Sequence, residues 1–422
     1  MEKILIVGGG GREHALAWKM KQDLGGVVEF HSAPGNAGLM KFGECYPAFP
    51  ATDIQGLLAL AERIQPDLTV VGPEDTLALG LADQLSDRGF KVFGPSASAT
   101  RIESSKIFAK EIMKRAGVPT AGYRAFNNPD LAHEYVKKQS FDMPVVIKAD
   151  GLALGKGVAV CPTGEEADLF IHQLMVEKIA GDAGLRILVE DYLKGPECSV
   201  LVITDGENFV SFPPIRDHKP VFDGNKGPNT GGMGAIYPIL EDSPDLRALI
   251  NNTIIAPTLR VLGEQGTPFI GCLYAGLKLT PDGVMVVEFN ARFGDPEVEV
   301  ALPMLQESLL ELLHKAVDGK LPIRPAQWQD GACVDVVLAS RGYPDKYEKG
   351  KHITGIEKAE AGGVLIFQAG TKNFANQTLT NGGRVLNVVG REKNLGLAAA
   401  DVYRAINDIE FDGMHYRKDI GR

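Results

Sequence analysis

Several absences narrow the function of this chain before any motif is read. No C-x-x-C pair occurs: Cys45, Cys161, Cys198, Cys272 and Cys333 are odd in number and scattered, so they read as small buried apolar side chains rather than a disulfide framework or thiolate metal site. No lysine- or arginine-rich block offsets a net charge of -10, and the long-range field repels nucleic acid and anionic membrane surfaces. No stretch approaches the roughly 18 uninterrupted apolar residues that a membrane span requires. The opening MEKILIVGGGG has no basic segment leading into a long apolar core and cleavage site, which makes a reducing cytoplasm the expected location. No two histidines stand at a metal-ligand spacing, so His14, His218 and His415 read as structural or substrate-edge residues, and Met233 as a gap filler.

What is present is a chain of 422 residues, 44% hydrophobic and 23% charged, long enough for about three domains. Residues 1–103 alternate strand and helix patterns: a strand over Ile4 to Val7, a helix from Gly11 to about Lys21, then strand-like runs at 27–30, 68–71 and 91–93. This predicts a parallel α/β unit. Its first turn, Gly8-Gly9-Gly10-Gly11-Arg12-Glu13-His14, resembles a dinucleotide fingerprint, but Glu13 or His14 replaces the third glycine and weakens an NAD reading. The helix N-terminus behind Gly10 and Gly11 still offers N–H groups to a phosphate or polar ligand, with Arg12 to reinforce it.

A second unit spans 104–325. Ser104 and Ser105 can cap a helix that starts at Lys106, runs to about Ala116 and stops before Gly117. The run PPIRDHKPVFDGNKGPNTGGMGAIYP is so rich in glycine, proline and polar residues that it predicts a functional loop and no core element. A third unit, 326–422, has its first strand in CVDVVLA near Gly331 and ends in an amphipathic helix around Leu395 to Ile406.

The most telling segment is PVVIKADGLALGKGVAV, Pro144 to Val160. Gly151, Gly155 and Gly157 let the connecting loop close over a ligand and aim N–H groups at it, while Lys148 and Lys156 add mobile positive charge suited to a triphosphate. In Val286 to Arg292, period-two geometry puts Glu288, Asn290 and Arg292 on one strand face and Phe289 and Ala291 on the other. A carboxylate with an amide oxygen suits a hard cation such as magnesium, and Arg292 can meet a phosphate or carboxylate. Gly294-Asp295-Pro296-Glu297 adds two carboxylates beside them. Glu190, Asp191 and Leu193 form a strand-to-turn hinge able to read adenine through its backbone, and Glu197 can accept from ribose hydroxyls.

With GGGGREHALAW, APGNAG, VVGPE, FGPS, KADGLALGKGV, DHK, GPNTGGMGA, EFNARFGDPE and TNGGRVLNV in this order, nearly the whole chain resembles the glycinamide ribonucleotide synthetases, also called phosphoribosylamine-glycine ligases. The resemblance implies an ATP-grasp fold with an N-terminal parallel, Rossmann-like α/β domain and a C-terminal α+β domain. It implies a purine-biosynthesis reaction in which ATP phosphorylates the carboxylate of glycine and the amine of 5-phosphoribosylamine captures the acyl phosphate. Lys106, Lys148 and Lys156 would then neutralise the triphosphate, with Glu288 and Asn290 holding Mg2+ or Mn2+. Arg292 would stabilise the transferring phosphoryl group, with Lys148 and Asp295 beside it. Glycine would lie near Asp217, Asn229, Thr230, Gly231, Gly232, Asp295 and Pro296. The acceptor would meet Gly10, Gly11, Arg12 and Glu74, with Lys372 and Arg384 on its 5-phosphate. The expected enzyme is a cytoplasmic monomer or weak homodimer that binds neither nucleic acid nor membrane. One departure is Gln368, where the family usually places histidine, so that position cannot titrate near neutrality. The alternatives are a related ATP-grasp ligase or carboxylase with another acceptor, an NAD-dependent oxidoreductase, and a non-catalytic nucleotide sensor.

Overall fold

The computed structural model describes residues 2–24, 28–153 and 157–422, and of Leu24 the backbone alone. The first unit is a parallel sheet in the spatial order Gly43–Cys45, Val28–Pro34, Glu2–Gly8, Leu68–Val71, Val92–Phe93. The chain departs from Glu2–Gly8 in both directions, so a crevice opens beyond the carboxyl end of that strand. The Gly8 to Gly11 turn and Glu74, just after Val71, stand at that end.

The second unit has two sheets. One is antiparallel, in the order Tyr123–Phe126, Ile187–Asp191, Val145–Ala149, Val158–Cys161, and packs Ile147, Ala149, Ile187 and Val189 against the helices Pro129–Lys137 and Gly164–Met175. Each such fully buried aliphatic side chain contributes about 1.5–3 kcal/mol. The other has the order Gly283–Asn290, Ile270–Thr280, Glu197–Asp205, Phe209–Ser211, Arg324–Pro325, with the helices Lys106–Ala116 and Ala256–Glu264 on one side. The helix Lys106–Ala116 begins and ends where its chemistry dictates: the Ser105 side chain accepts from the Phe108 N–H, and Gly117 closes it at φ 68. No helix among the described residues is long and apolar enough to cross a membrane.

The third sheet corrects one expectation. Its order is Arg216–Asp217, Gly234–Tyr237, Ala332–Ala339, Arg384–Glu392, Leu365–Gln368, so the glycine-rich run supplies two of its strands. Gly234–Tyr237 is a core strand: Ala235 is fully buried, and the strand pairs antiparallel with Cys333 to Val336. The long-range ladder overrides local composition there, and glycine is required rather than tolerated. Gly234 sits at φ +145, and a Cβ on it would lie 2.2 Å from the Asp335 carbonyl oxygen. Gly234→Ala should therefore cost about 1–3 kcal/mol in chemical denaturation, the range for overpacking a tight core. An unchanged unfolding midpoint would refute this account of the strand.

Candidate active site

A cavity of about 370 Å³ opens between the first and second units. The helix Lys106–Ala116 brings Lys106 and Lys110 to its wall, four residues apart and so on one helix face. Lys106 Nζ donates to the Gly151 carbonyl at 3.0 Å, at the start of the glycine loop. Lys148 Nζ lies 3.0 Å from Glu190 Oε2 and donates to the Val287 carbonyl at 2.9 Å. Glu190 Oε1 faces Lys110 Nζ at 3.4 Å, so one buried carboxylate serves two buried ammonium groups. Burial pulls Lys106 and Lys110 below the usual lysine range, with nearby carboxylates opposing it.

The strand Gly283–Asn290 carries the second group. A bulge shifts its register between Gly276 and Leu277 of the partner strand, and Val287 falls at the extra position, its carbonyl taken by Lys148. Glu288, Asn290 and Arg292 line the cavity and Ala291 is buried behind them, as strand alternation requires, while Phe289, buried in the core, also reaches the wall. Glu288 Oε1 is 3.6 Å from Lys219 Nζ. Burial alone would raise the Glu288 carboxyl, but Lys219, Lys148, Lys106 and Arg292 outweigh it and hold it at about 2, so it is anionic at neutral pH. Among the described residues no group of three or more His, Cys, Asp and Glu side chains is placed to hold a metal. One carboxylate and one amide oxygen therefore fit a hard cation that takes its other ligands from phosphate and water, and do not fit a closed zinc site.

Arg292 lies between two carboxylates, its Nε 3.3 Å from Glu74 Oε2 and its Nη2 3.7 Å from Glu103 Oε1. Burial works against ionisation of Glu74, yet Arg292 and Arg12 bring its carboxyl down to about 2. Burial instead dominates at Glu103 and raises it to about 7. Asp295 holds the junction of the three units: its Oδ2 accepts the Arg12 N–H at 3.3 Å, and its Oδ1 lies 3.1 Å from Arg384 Nη1, which also donates to the Gly231 and Asp295 carbonyls. Burial and the neighbouring Glu297 push the Asp217 carboxyl well up.

Of the residues expected at the site, Lys106, Lys148, Gly151, Gly157, Glu190, Asp191, Leu193, Glu197, Glu288, Asn290, Arg292, Asp295, Glu74, Asp217, Asn229, Thr230 and Gly231 share this wall. Gly155 and Lys156 lie outside the described residues. Glu197 is at the rim, paired with Lys278 at 2.9 Å. Gly232 and Pro296 pack against each other beside Asp217 and are not on the wall.

The glycine turn differs from expectation. Two of its N–H groups and its arginine are already engaged: Gly10 N–H donates to Glu13 Oε2 at 2.6 Å, the Arg12 N–H goes to Asp295, and the buried Arg12 guanidinium pairs with Glu13 Oε1 at 2.6 Å. Gly11 is a close-approach residue, since a Cβ there would meet Asn387 Nδ2 at 2.3 Å and Glu299 Oε1 at 2.6 Å. Gly10, Gly11 and Arg12 thus brace the wall from behind rather than face the cavity. Lys372 is exposed on the hairpin Thr371–Phe374/Gln377–Thr380, and neither it nor Arg384 is on the cavity wall. Gln368 is buried: its N–H donates to His14 Nδ1 at 2.7 Å and its Oε1 accepts from Thr371 Oγ1 at 2.9 Å. Sequence reasoning missed Glu103, Lys110, Lys219 and Tyr274 on the wall. The Lys106/Lys110 spacing was a usable signal for one of them; the others reach the site through long-range packing.

Comparison with known proteins shows the family of the chain. Residues 2–103, 104–298 and 333–422 match the N domain, the ATP-grasp (A) domain and the C domain of Phosphoribosylglycinamide synthetase. The phosphoribosylamine--glycine ligase of Halalkalibacterium halodurans is 44% identical over 99% of this chain and 96% of its own length. That of Nostoc sp. is 45% identical over 99% of each. The trifunctional purine biosynthetic protein adenosine-3 of Gallus gallus is 43% identical over 100% of this chain and 42% of its own. Among solved structures, the Thermotoga maritima phosphoribosylamine--glycine ligase superposes with a TM-score of 0.85 at 34% identity, covering 99% of both chains. A biotin carboxylase domain from Hydrogenobacter thermophilus shares the fold alone, with a TM-score of 0.76 at 16% identity over 98% of this chain and 91% of that one. With three domains matched in order and relatives alike from end to end, the chain belongs to the phosphoribosylglycinamide synthetase family.

Proposed function

We propose that this chain joins glycine to 5-phosphoribosylamine at the expense of ATP, through glycyl phosphate, giving glycinamide ribonucleotide, ADP and phosphate in de novo purine biosynthesis. The observation that carries the reading is the convergence of Lys106, Lys148, Glu288, Asn290 and Arg292, far apart in sequence, on one cavity that continues to Glu74 and Asp217. The same reading divides the chain into units 1–103, 104–325 and 326–422, working in the cytoplasm as a monomer or weak homodimer.

Lys106 and Lys148, both already at the wall, meet the phosphates of ATP, with Gly151 and Gly157 beside them. Glu288 and Asn290 would hold magnesium, with manganese as a substitute, and the ion supplies Lewis-acid neutralisation of phosphate charge when bound. A carboxylate oxygen of glycine attacks the γ-phosphorus and ADP leaves. Arg292 stabilises the charge that spreads over the transferring group. The amine of phosphoribosylamine then attacks the glycyl carbonyl, and phosphate departs with the former carboxylate oxygen. Asp217 and Asp295 offer carboxyl oxygens to the ammonium of glycine, whose charge opposes the burial that pushes the Asp217 carboxyl up, and Glu74 suits the sugar hydroxyls. No covalent nucleophile on the protein is required, so rate comes from positioning and electrostatics in a site closed to water.

ADP formation should require glycine and phosphoribosylamine together, and bicarbonate should not replace glycine. Bicarbonate-dependent turnover would instead favour a carboxylase. Glu288→Gln should lower kcat by about 10²- to 10³-fold, the scale of losing one charge-stabilising group, while the thermal midpoint stays near that of the wild type. Lys148→Ala should weaken binding of a non-hydrolysable ATP analogue by about tenfold or more, read by calorimetry, because a charged hydrogen bond to phosphate contributes about 1.5–3 kcal/mol. Unchanged affinity would remove Lys148 from the nucleotide site.

A further inference from the structure

The reaction as described leaves Glu103 without a part. This residue lies at the end of the helix Ala97–Ser104, where the first unit passes into the second, and is only 8% exposed. Its two carboxylate oxygens do different things. Oε2 accepts the Ala291 N–H at 2.6 Å, and Oε1 faces Arg292 Nη2 at 3.7 Å. Ala291 stands between Asn290 and Arg292, so one side chain fixes the backbone behind the cavity-facing residues and supplies countercharge to the guanidinium.

The other carboxylate on Arg292 is not equivalent. Glu74 reaches it from the short helix Glu74–Ala78, and its side chain is 28% exposed, against 7% for Glu103. It also faces the cavity where polar ligand groups enter. A ligand hydroxyl can compete for Glu74, whereas Glu103, also on the wall but far less exposed, keeps one oxygen on the Ala291 N–H. Two carboxylates on different nitrogens of one guanidinium hold it between them, and loss of one draws it onto the other.

We propose that Glu103 is a positioning residue for the reaction, the fixed anchor that keeps Arg292 aimed at the transferring phosphoryl group, while Glu74 is the exchangeable partner that turns to the sugar hydroxyls of the acceptor. The proposal rests on the ligase reading above. Without the Glu103 charge, Arg292 settles on Glu74, withdrawing from the phosphoryl group.

Assayed near pH 8, where a carboxyl raised to about 7 is ionised, Glu103→Gln tests this, because the amide oxygen can still accept the Ala291 N–H while the charge is lost. With rates normalised to the stoichiometry of bound ATP analogue, kcat should fall about tenfold or more and KM for ATP should stay within about twofold. Glu103→Asp, which keeps the charge one methylene further back, should recover part of the loss. In an Arg292→Lys background, adding Glu103→Gln should change kcat by no more than about twofold, since its effect runs through Arg292. A purely structural role would instead multiply into that background undiminished. That outcome would overturn the proposal, as would Glu103→Gln turnover within about twofold of wild type. Wild-type turnover with glycine and phosphoribosylamine, measured alongside, separates the two failures: its absence defeats the ligase reading and this inference together, whereas its presence with an active Glu103→Gln enzyme defeats this inference alone.

Discussion

An acidic protein that handles a polyanionic nucleotide must concentrate positive charge in one place and keep it charged away from bulk water. Carboxylates buried beside the lysines meet that requirement. Glu190 between Lys110 and Lys148, and Glu288 against Lys219, hold ammonium groups whose burial would otherwise favour the neutral form. The wall is therefore mixed in sign before any ligand enters, with carboxylates outnumbering the cationic side chains among the described residues. A divalent ion arriving with the nucleotide suits such a wall better than further lysines would, because it neutralises phosphate and carboxylate at once.

The fold serves this charge arrangement by supplying each partner from a different element. Glu190 comes from the strand Ile187–Asp191, Lys148 from its neighbour Val145–Ala149, and Lys110 from the helix before both. Arg292 follows the strand of the other sheet and takes its carboxylates from the first unit and its boundary. Asp295 is bound by Arg12 from the first unit and Arg384 from the third. Displacing any unit would leave a buried charge unpaired, at a cost of about 3–5 kcal/mol for a fully buried pair. The same contacts that define the pocket also hold the units in register.

The parts of this picture that were legible in the sequence are those set by local rules. The cap at Ser105, the stop at Gly117, and the two-residue alternation that turns Glu288, Asn290 and Arg292 to one face all follow from neighbours in the chain. The strand Gly234–Tyr237 was hidden because its glycine-rich composition points to a loop, and only pairing with residues about a hundred positions later makes it a strand. Arg12 looked available because its sequence context is a helix start; Glu13, one residue on, turns back to take both its guanidinium and the Gly10 N–H. Glu103 gave no signal at all, since its partners are 188 residues away along the chain. Local chemistry located the lysines and the strand residues that share the cavity, and tertiary packing decided which of their neighbours face it.

The proposed reaction activates a carboxylate by phosphoryl transfer and then releases it to an amine. Glycine carrying heavy oxygen in both carboxylate positions tests this most directly when the phosphate formed during turnover with ATP and phosphoribosylamine is analysed by mass spectrometry. Each phosphate should carry a single heavy oxygen taken from glycine. Phosphate that forms in step with product yet carries no label would contradict the account.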